Sequence, residues 1–475
     1  MGALAALLLG QDAGFDLRNY HWHNAWALLH GRLHTDVAPG QLQSFFNPLV
    51  DLPYFGALAL LGGAAGTAVM GALHGLGIGI VGLIAREVGF DRLLVGVSMA
   101  SAAWAPVFLD GVGGSSGDLL IGAIVLGGLL ALLRGNPALA GVLTGAAVGL
   151  KPTAAVFAIA LVVAAWLRRD RLRRIALGGI GGWALTGAFW AITLLLATGN
   201  PVFPMANHVF GSEWASAEHF GELGYLPSGL GWITLPLDMA LGGEAAWRIP
   251  WRDGRWLVLW VLGIAWVLTL LISRRGAKAQ RHAKGLGALL AWAGVAWVFW
   301  EWLSSLIRYL APLEAMSGVL VLLVLRELLG ARGRAVGLVV LAVLAVWMRP
   351  PPAARVPFED DVHGVVLPAL PTDERPVVLI TTGDAALGYL APAFPDRFAH
   401  LRVSSSIVFY GEGDATALNR RITETLANAT SVHLLRGPDD RFDAEALEVL
   451  GLPPPTTCAP VASRLDGGLA LCRLR

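Results

Sequence analysis

From about residue 66 to residue 348 the chain is a succession of apolar runs separated by short loops that carry arginine. A bilayer crossing needs about 20 apolar residues. By that measure the runs fall at 1–12, 66–85, 93–110, 117–133, 138–150, 152–167, 175–197, 256–273, 286–304, 310–325 and 335–348, about eleven crossings. Composition agrees: 15% of residues are charged and 55% hydrophobic, whereas soluble domains carry about 25% charged residues. The pattern is that of a polytopic membrane protein. A net charge of +1 leaves no electrostatic footprint for nucleic acid.

Basic residues give the orientation, because short cytoplasmic loops are rich in them. Arg86 and Arg92, Arg134, the group Arg168 to Arg174, the group Arg274 to Lys284, and Arg326 to Arg334 fall on one side if the spans alternate. That side is read as cytoplasmic, with the N-terminus. The loops 12–65, 110–117, 198–255 and 304–309, and the tail from Arg349, are then outside. Met1 to Gly10 is apolar but lacks the basic start of a cleavable signal and is too short to span alone. Residues 49–63 and the GWITLPLDMALGG stretch read as helices lying at the outer interface. Pro152 should end the helix begun at Pro137, since the residue before a proline leaves helical geometry. Lys151 then lies at the tip of a short helical hairpin. An ionisable group at membrane depth is functional by default, and an ammonium there can hold a phosphate.

After Pro350, Pro351 and Pro352, a stiff linker, the pattern changes. VVLITTG, SSSIVFYG and SVHLLRG read as strands. DAALGYLAPAF, ATALNRRITETLA and DAEALEVLGL read as helices. The expected organisation is an all-α membrane domain over 1–348 and a small extracytoplasmic α/β domain over 349–475. The end reads as a hairpin turning at Asp466–Gly467. That turn would misalign Cys458 and Cys472 by about three positions, so a bulge or a longer loop is needed. Outside the cytoplasm the pair should oxidise, for about 3 kcal/mol on the entropic model.

The loop from Gly14 to Asp51 is the most polar part of the N-terminal half. It holds Asp16, Asp36 and Asp51, Arg18 and Arg32, and His21, His23, His30 and His34. A loop between hydrophobic segments has no packing reason for such a set, so it reads as one wall of a site. On a helix from Asp16, residues Asn19, Tyr20, His23 and Asn24 share its face. Asp16 there is a general base or a helix cap. The histidines have poor spacing for zinc. Arg308 and Tyr309 follow an aromatic span that holds Glu301, and arginine suits phosphate. Glu301 and Arg308 are two helical turns apart. Asp110 and Asp118 bracket GVGGSSG, and Asn207 sits in the second outer loop.

Four motifs recur in order: DLRNYHxxNAWALLHGRLxxDxAPGxxQSxFNPLxDLPY, GxxxGLKPT, TGNPVFPxxN and SxxxRYLAPLE. With the α/β tail, this layout resembles the GT-C superfamily of polytopic glycosyltransferases, in particular its uncharacterised bacterial members. The resemblance implies inverting transfer of a sugar from a polyprenyl-phosphate donor to a glycan, lipid or protein acceptor, at the outer face of a bacterial cytoplasmic membrane. It makes Asp16 the catalytic base and puts Lys151 and Arg308 on the lipid phosphate. Tyr20, His23, Asn207 and Tyr309 are the further substrate-binding candidates. Asp110 and Asp118 do not form the acidic pair that binds metal in some relatives, so no metal is expected, and no cofactor beyond the lipid-linked donor. Two competing readings are a transporter or flippase of a lipid-linked substrate and a non-catalytic envelope assembly protein. Against the transporter, no internal repeat is visible.

Overall fold

The structure is a computed structural model. It describes residues 1–215, 223–247, 249–272, 277–359, 361–382, 385–403, 416–437 and 441–475, without the side chains of 270 and 277–285. The expected SSSIVFYG strand and Arg274 and Arg275 lie outside the described residues, and Lys278, Arg281 and Lys284 are described by backbone alone. The chain divides into two compact units: Met1–Leu8 with Ala68–Phe189 and Gly221–Ala353, and Leu9–Thr67 with Trp190–Phe220 and Ala354–Arg475.

The first unit is helical, and each apolar run forms helix. Among the described residues three helices are long and apolar enough to cross a bilayer: Gly63–Glu87, Leu286–Leu303 and Ile307–Leu329. A fourth is added if Leu172–Thr186 and Ala188–Thr198 are one broken span. The chain is therefore a multi-pass membrane protein with three or four clear spans, where the sequence suggested about eleven. The remaining runs make shorter helices, and prolines account for two of the breaks. Ala105 is extended before Pro106, which splits the 93–110 run into Arg92–Ala103 and Pro106–Gly111. Lys151 is extended between Pro137–Leu150 and the turn at Pro152, as its sequence indicates.

A seam of glycines joins Pro137–Leu150 to Leu172–Thr186. A Cβ at Gly141 would lie 2.2 Å from the carbonyl oxygen of Ile175, and one at Gly145 2.1 Å from that of Gly179. From the other side, a Cβ at Gly182 would lie 2.0 Å from the carbonyl oxygen of Val142. Only glycine lets two backbones approach so closely, the small-residue solution to helix packing without a hydrophobic drive.

The second unit is built on a five-stranded sheet: β1 Pro376–Ile380, β2 Ala399–Arg402, β3 Ser431–Arg436, β4 Thr457–Val461 and β5 Leu469–Arg473. Its order is β2-β1-β3-β5-β4. The first three strands are parallel, and β5 is antiparallel to both neighbours. Helix Ala417–Ala427 is capped by Thr416, whose side chain accepts from the Asn419 amide. The stretch read as a helix after β1 is instead a 3-10 turn over Gly388–Ala393 containing Pro392. Strand β2, AHLR, has no alternation that marks it in the sequence. The last hairpin does not turn tightly at Asp466–Gly467. Val461 pairs with Leu469, so the loop covers 462–468 and brings Cys458 directly opposite Cys472, where they form a disulfide.

The first polar loop belongs to this unit and has a packing reason after all. Val37 extends the sheet beside β2: its amide donates to the His400 carbonyl at 2.8 Å, and its carbonyl accepts from the Arg402 amide at 3.0 Å. Val37, Leu42 and Phe45, with Trp190 and Phe203 from the second loop, share one core with Leu379, Leu401 and Ile422. Gly388 lies so close to the loop that a Cβ there would sit 2.0 Å from the Asn19 carbonyl oxygen.

Candidate active site

In the helical unit, three of the residues singled out from the sequence come together around a fourth. Gly117, in left-handed geometry, starts helix Asp118–Leu133 and places Asp118 in its first turn, buried. Lys151, freed from helix by Pro152, brings Nζ to 2.5 Å from Asp118 Oδ1 and 3.2 Å from the Ser116 carbonyl. Arg308, in the turn Ile307–Leu310, has Nε 4.0 Å from Asp118 Oδ2. The Tyr309 ring lies under both cations, 5.2 Å from Lys151 Nζ and 5.4 Å from the Arg308 guanidinium carbon. Two cations lie against one carboxylate beside an aromatic face. Both cations keep part of their side chain exposed, at 15% and 23%. Such a group can hold an anionic headgroup while Asp118 fixes the position of Lys151. Glu301 accepts from Trp297 Nε1 at 3.0 Å.

In the other unit, Asp16 precedes the turn Leu17–His21, which is wound as π-helix; the Trp22 amide donates to the Leu17 carbonyl, five residues back. The wider turn breaks the face read from α-helical spacing. Asp16 makes no side-chain capping hydrogen bond, so the cap reading does not hold and its carboxylate is not committed to that role. Tyr20 is buried edge-on to Phe46. Asn207 is committed to its own loop: its Nδ2 donates to the carbonyls of Ser212 and Ala215, and its Oδ1 accepts from the Ser212 amide.

His23 belongs to a buried cluster around Asp36, with Nε2 3.5 Å from Asp36 Oδ2. Arg32 donates to both oxygens of Asp36, at 2.7 and 3.0 Å, and also to the carbonyls of Asp396 and Phe398. The His400 amide donates to Asp36 Oδ1 at 2.9 Å, and its Nδ1 lies 3.1 Å from the same oxygen. Burial would push the Asp36 carboxyl up, but His400, His23 and Arg32 outweigh it and hold it well below the usual range. Burial pushes His400 down against the pull of Asp36. This cluster ties Arg32 and Asp36 to the sheet.

Two arrangements escaped the sequence reading. His21 Nδ1 lies 2.5 Å from Asp51 Oδ1, both buried. In the helical unit, Arg255 donates to Asp253 at 2.6 Å and to Ser317 Oγ at 3.1 Å, and lies 3.5 Å from Glu314, which accepts from the Val107 amide. Three ionisable residues buried among apolar helices carry the signal that marked Lys151. Asp253 and Arg255 were passed over because they abut a loop, and Glu314 because it sits inside a motif.

Two crystal structures of ArnT from Cupriavidus metallidurans, one in the apo state and one bound to undecaprenyl phosphate, resemble this structure, each with a TM-score of 0.52 and 16% sequence identity. Each match covers 99% of this chain and 96% of the other. The fold is that of ArnT. No family model matches the sequence, and no curated protein matches it. The ArnT likeness spans the helices and the C-terminal sheet alike.

Proposed function

We propose that the chain is a GT-C-type membrane glycosyltransferase that takes a sugar from a polyprenyl-phosphate donor. The observation that carries this reading is the meeting of Lys151 and Arg308 on Asp118 above Tyr309, in a fold shared with a protein that binds undecaprenyl phosphate. In this reading the two cations hold the donor phosphate, and Tyr309 flanks it. The acceptor hydroxyl attacks the anomeric carbon from the face opposite the phosphate. The carbon–oxygen bond to phosphate breaks, and polyprenyl phosphate leaves with the bonding electrons. The hydroxyl proton passes to Asp16. A phosphate leaves as a stable anion, so charge stabilisation by Lys151 and Arg308 is the main electrostatic contribution. The reaction side is the outer face of the cytoplasmic membrane, following the arginine-rich loops.

The test is binding of polyprenyl phosphate to purified protein, with Lys151→Ala and Arg308→Ala. A hydrogen bond to a charged group contributes about 1.5–3 kcal/mol, so each variant should bind roughly tenfold to a hundredfold more weakly. Unchanged affinity in both would remove the headgroup site.

A further inference from the structure

Helices Ala155–Arg168, Arg255–Ile272, Ala277–Leu303 and Ala311–Leu329 line an open groove of about 1120 Å³. Its wall is apolar, with Trp256, Trp260, Trp266 and Trp297 along it and Trp166 at one end. Lys151, Arg308 and Tyr309 do not line it. Among the described lining residues the one charged group is Arg169. It sits in left-handed geometry at the end of its helix, where its amide closes the last turn on the Trp166 carbonyl. Arg171, Arg173 and Arg174 follow within five residues, all exposed, while Arg168 is tied to Asp170 at 3.0 Å. An apolar groove with Arg169 on its wall, and exposed arginines next to it in sequence, has the polarity of an amphiphile: tails along the groove, anionic head at Arg169.

We infer that this groove is a binding site for an anionic glycerophospholipid from the leaflet that faces the Arg168–Arg174 loop, separate from the headgroup site at Lys151 and Arg308. Basic pockets between membrane helices recognise anionic heads in this way. Charge complementarity selects the head, and the indole-lined wall takes the acyl chains. The site does not depend on the transferase reading. An acidic lipid lodged there fills the space between four helices and stabilises them by mass action.

Two glycines on the wall make the test clean. A Cβ at Gly263 or at Gly294 meets nothing within 4 Å, so a large side chain there enters the groove without displacing the helices. The full-length protein is placed in nanodiscs of phosphatidylcholine with and without phosphatidylglycerol, and retained lipids are counted by native mass spectrometry. Phosphatidylglycerol should remain bound and phosphatidylcholine should not. Arg169→Gln with Arg171→Gln should weaken retention roughly thirtyfold, at about 1 kcal/mol per arginine. Gly294→Phe should abolish retention while leaving polyprenyl-phosphate binding unchanged. Equal retention by all variants overturns the site. Displacement of phosphatidylglycerol by polyprenyl phosphate also overturns it, because the groove would then belong to the donor.

Discussion

At the scale of single residues, Asp16 and Asp36 of the same loop carry different predictions. Asp16 makes no capping bond, whereas Asp36 is held by Arg32 and His400. Asp16→Asn should lower sugar transfer by about 10²- to 10⁴-fold, the usual worth of a general base, with thermal stability unchanged; full activity in that variant would take Asp16 out of the mechanism. Arg32→Ala strips the compensating charge from buried Asp36 and should cost about 3–5 kcal/mol, read as lost thermal stability. Acid should act on the same unit. Burial lowers His400, and it lowers His363 to about 4. An imidazole depressed in the folded state takes its proton first in the unfolded chain, whose pKa is about 6.5. His363 therefore stabilises the fold above about pH 6.5, a contribution that drains away as pH falls toward about 4, and His400 acts in the same direction. The depressed Asp36 carboxyl adds a further loss below about pH 4. Protection against hydrogen exchange in β2, relative to the unfolded chain at the same pH, should fall between pH 7 and pH 5, and His400→Gln should flatten that slope.

At the scale of elements, glycine decides two things of opposite sign. Gly145 faces a carbonyl 2.1 Å from where its Cβ would be, while Gly294 faces open space. Gly145→Leu should force the two helices apart and abolish a monodisperse peak in size-exclusion chromatography; Gly294→Phe should elute like the parent. Opening the disulfide with Cys458→Ser and Cys472→Ser should cost about 3 kcal/mol for a loop of about 15 residues, measured by denaturant unfolding. These elements were unequally legible. Apolar runs announce helices, and Pro152 announced the break at Lys151 because proline acts locally. The number of clear crossings was not legible, since Pro106 and Gly187 break runs whose composition alone looks continuous. The glycine seam lay in plain view as GxxxG spacing, but its partner helix is a property of the fold. Strand β2 was missed because a strand buried on both faces shows no alternation, and His400 and Arg402 within it disguise it further.

At the scale of the whole molecule, the second unit is assembled from three separate stretches of chain. The sequence suggested a small α/β domain over 349–475. In the structure its core includes Val37, Leu42, Phe45, Trp190 and Phe203 from far upstream. Residues 354–475 expressed alone should expose that apolar face and aggregate; a soluble, cooperatively unfolding fragment would contradict the shared core. A reporter fused after Arg349 should report the outer side, and a cytoplasmic signal would reverse the assignment of the loops.

The pairing of Asp36 with the His400 amide spans 364 positions of sequence. At a synthesis rate of 5–20 residues per second, the early loop waits on the order of 20 to 70 s before its strand is made. Throughout that interval Val37, Leu42 and Phe45 lack the sheet they pack against, and Asp36 has Arg32 but not yet the His400 amide. Biogenesis thus has a vulnerable window that the finished molecule conceals, and a holdase guarding nascent chains would find its binding segment at the very beginning of this one.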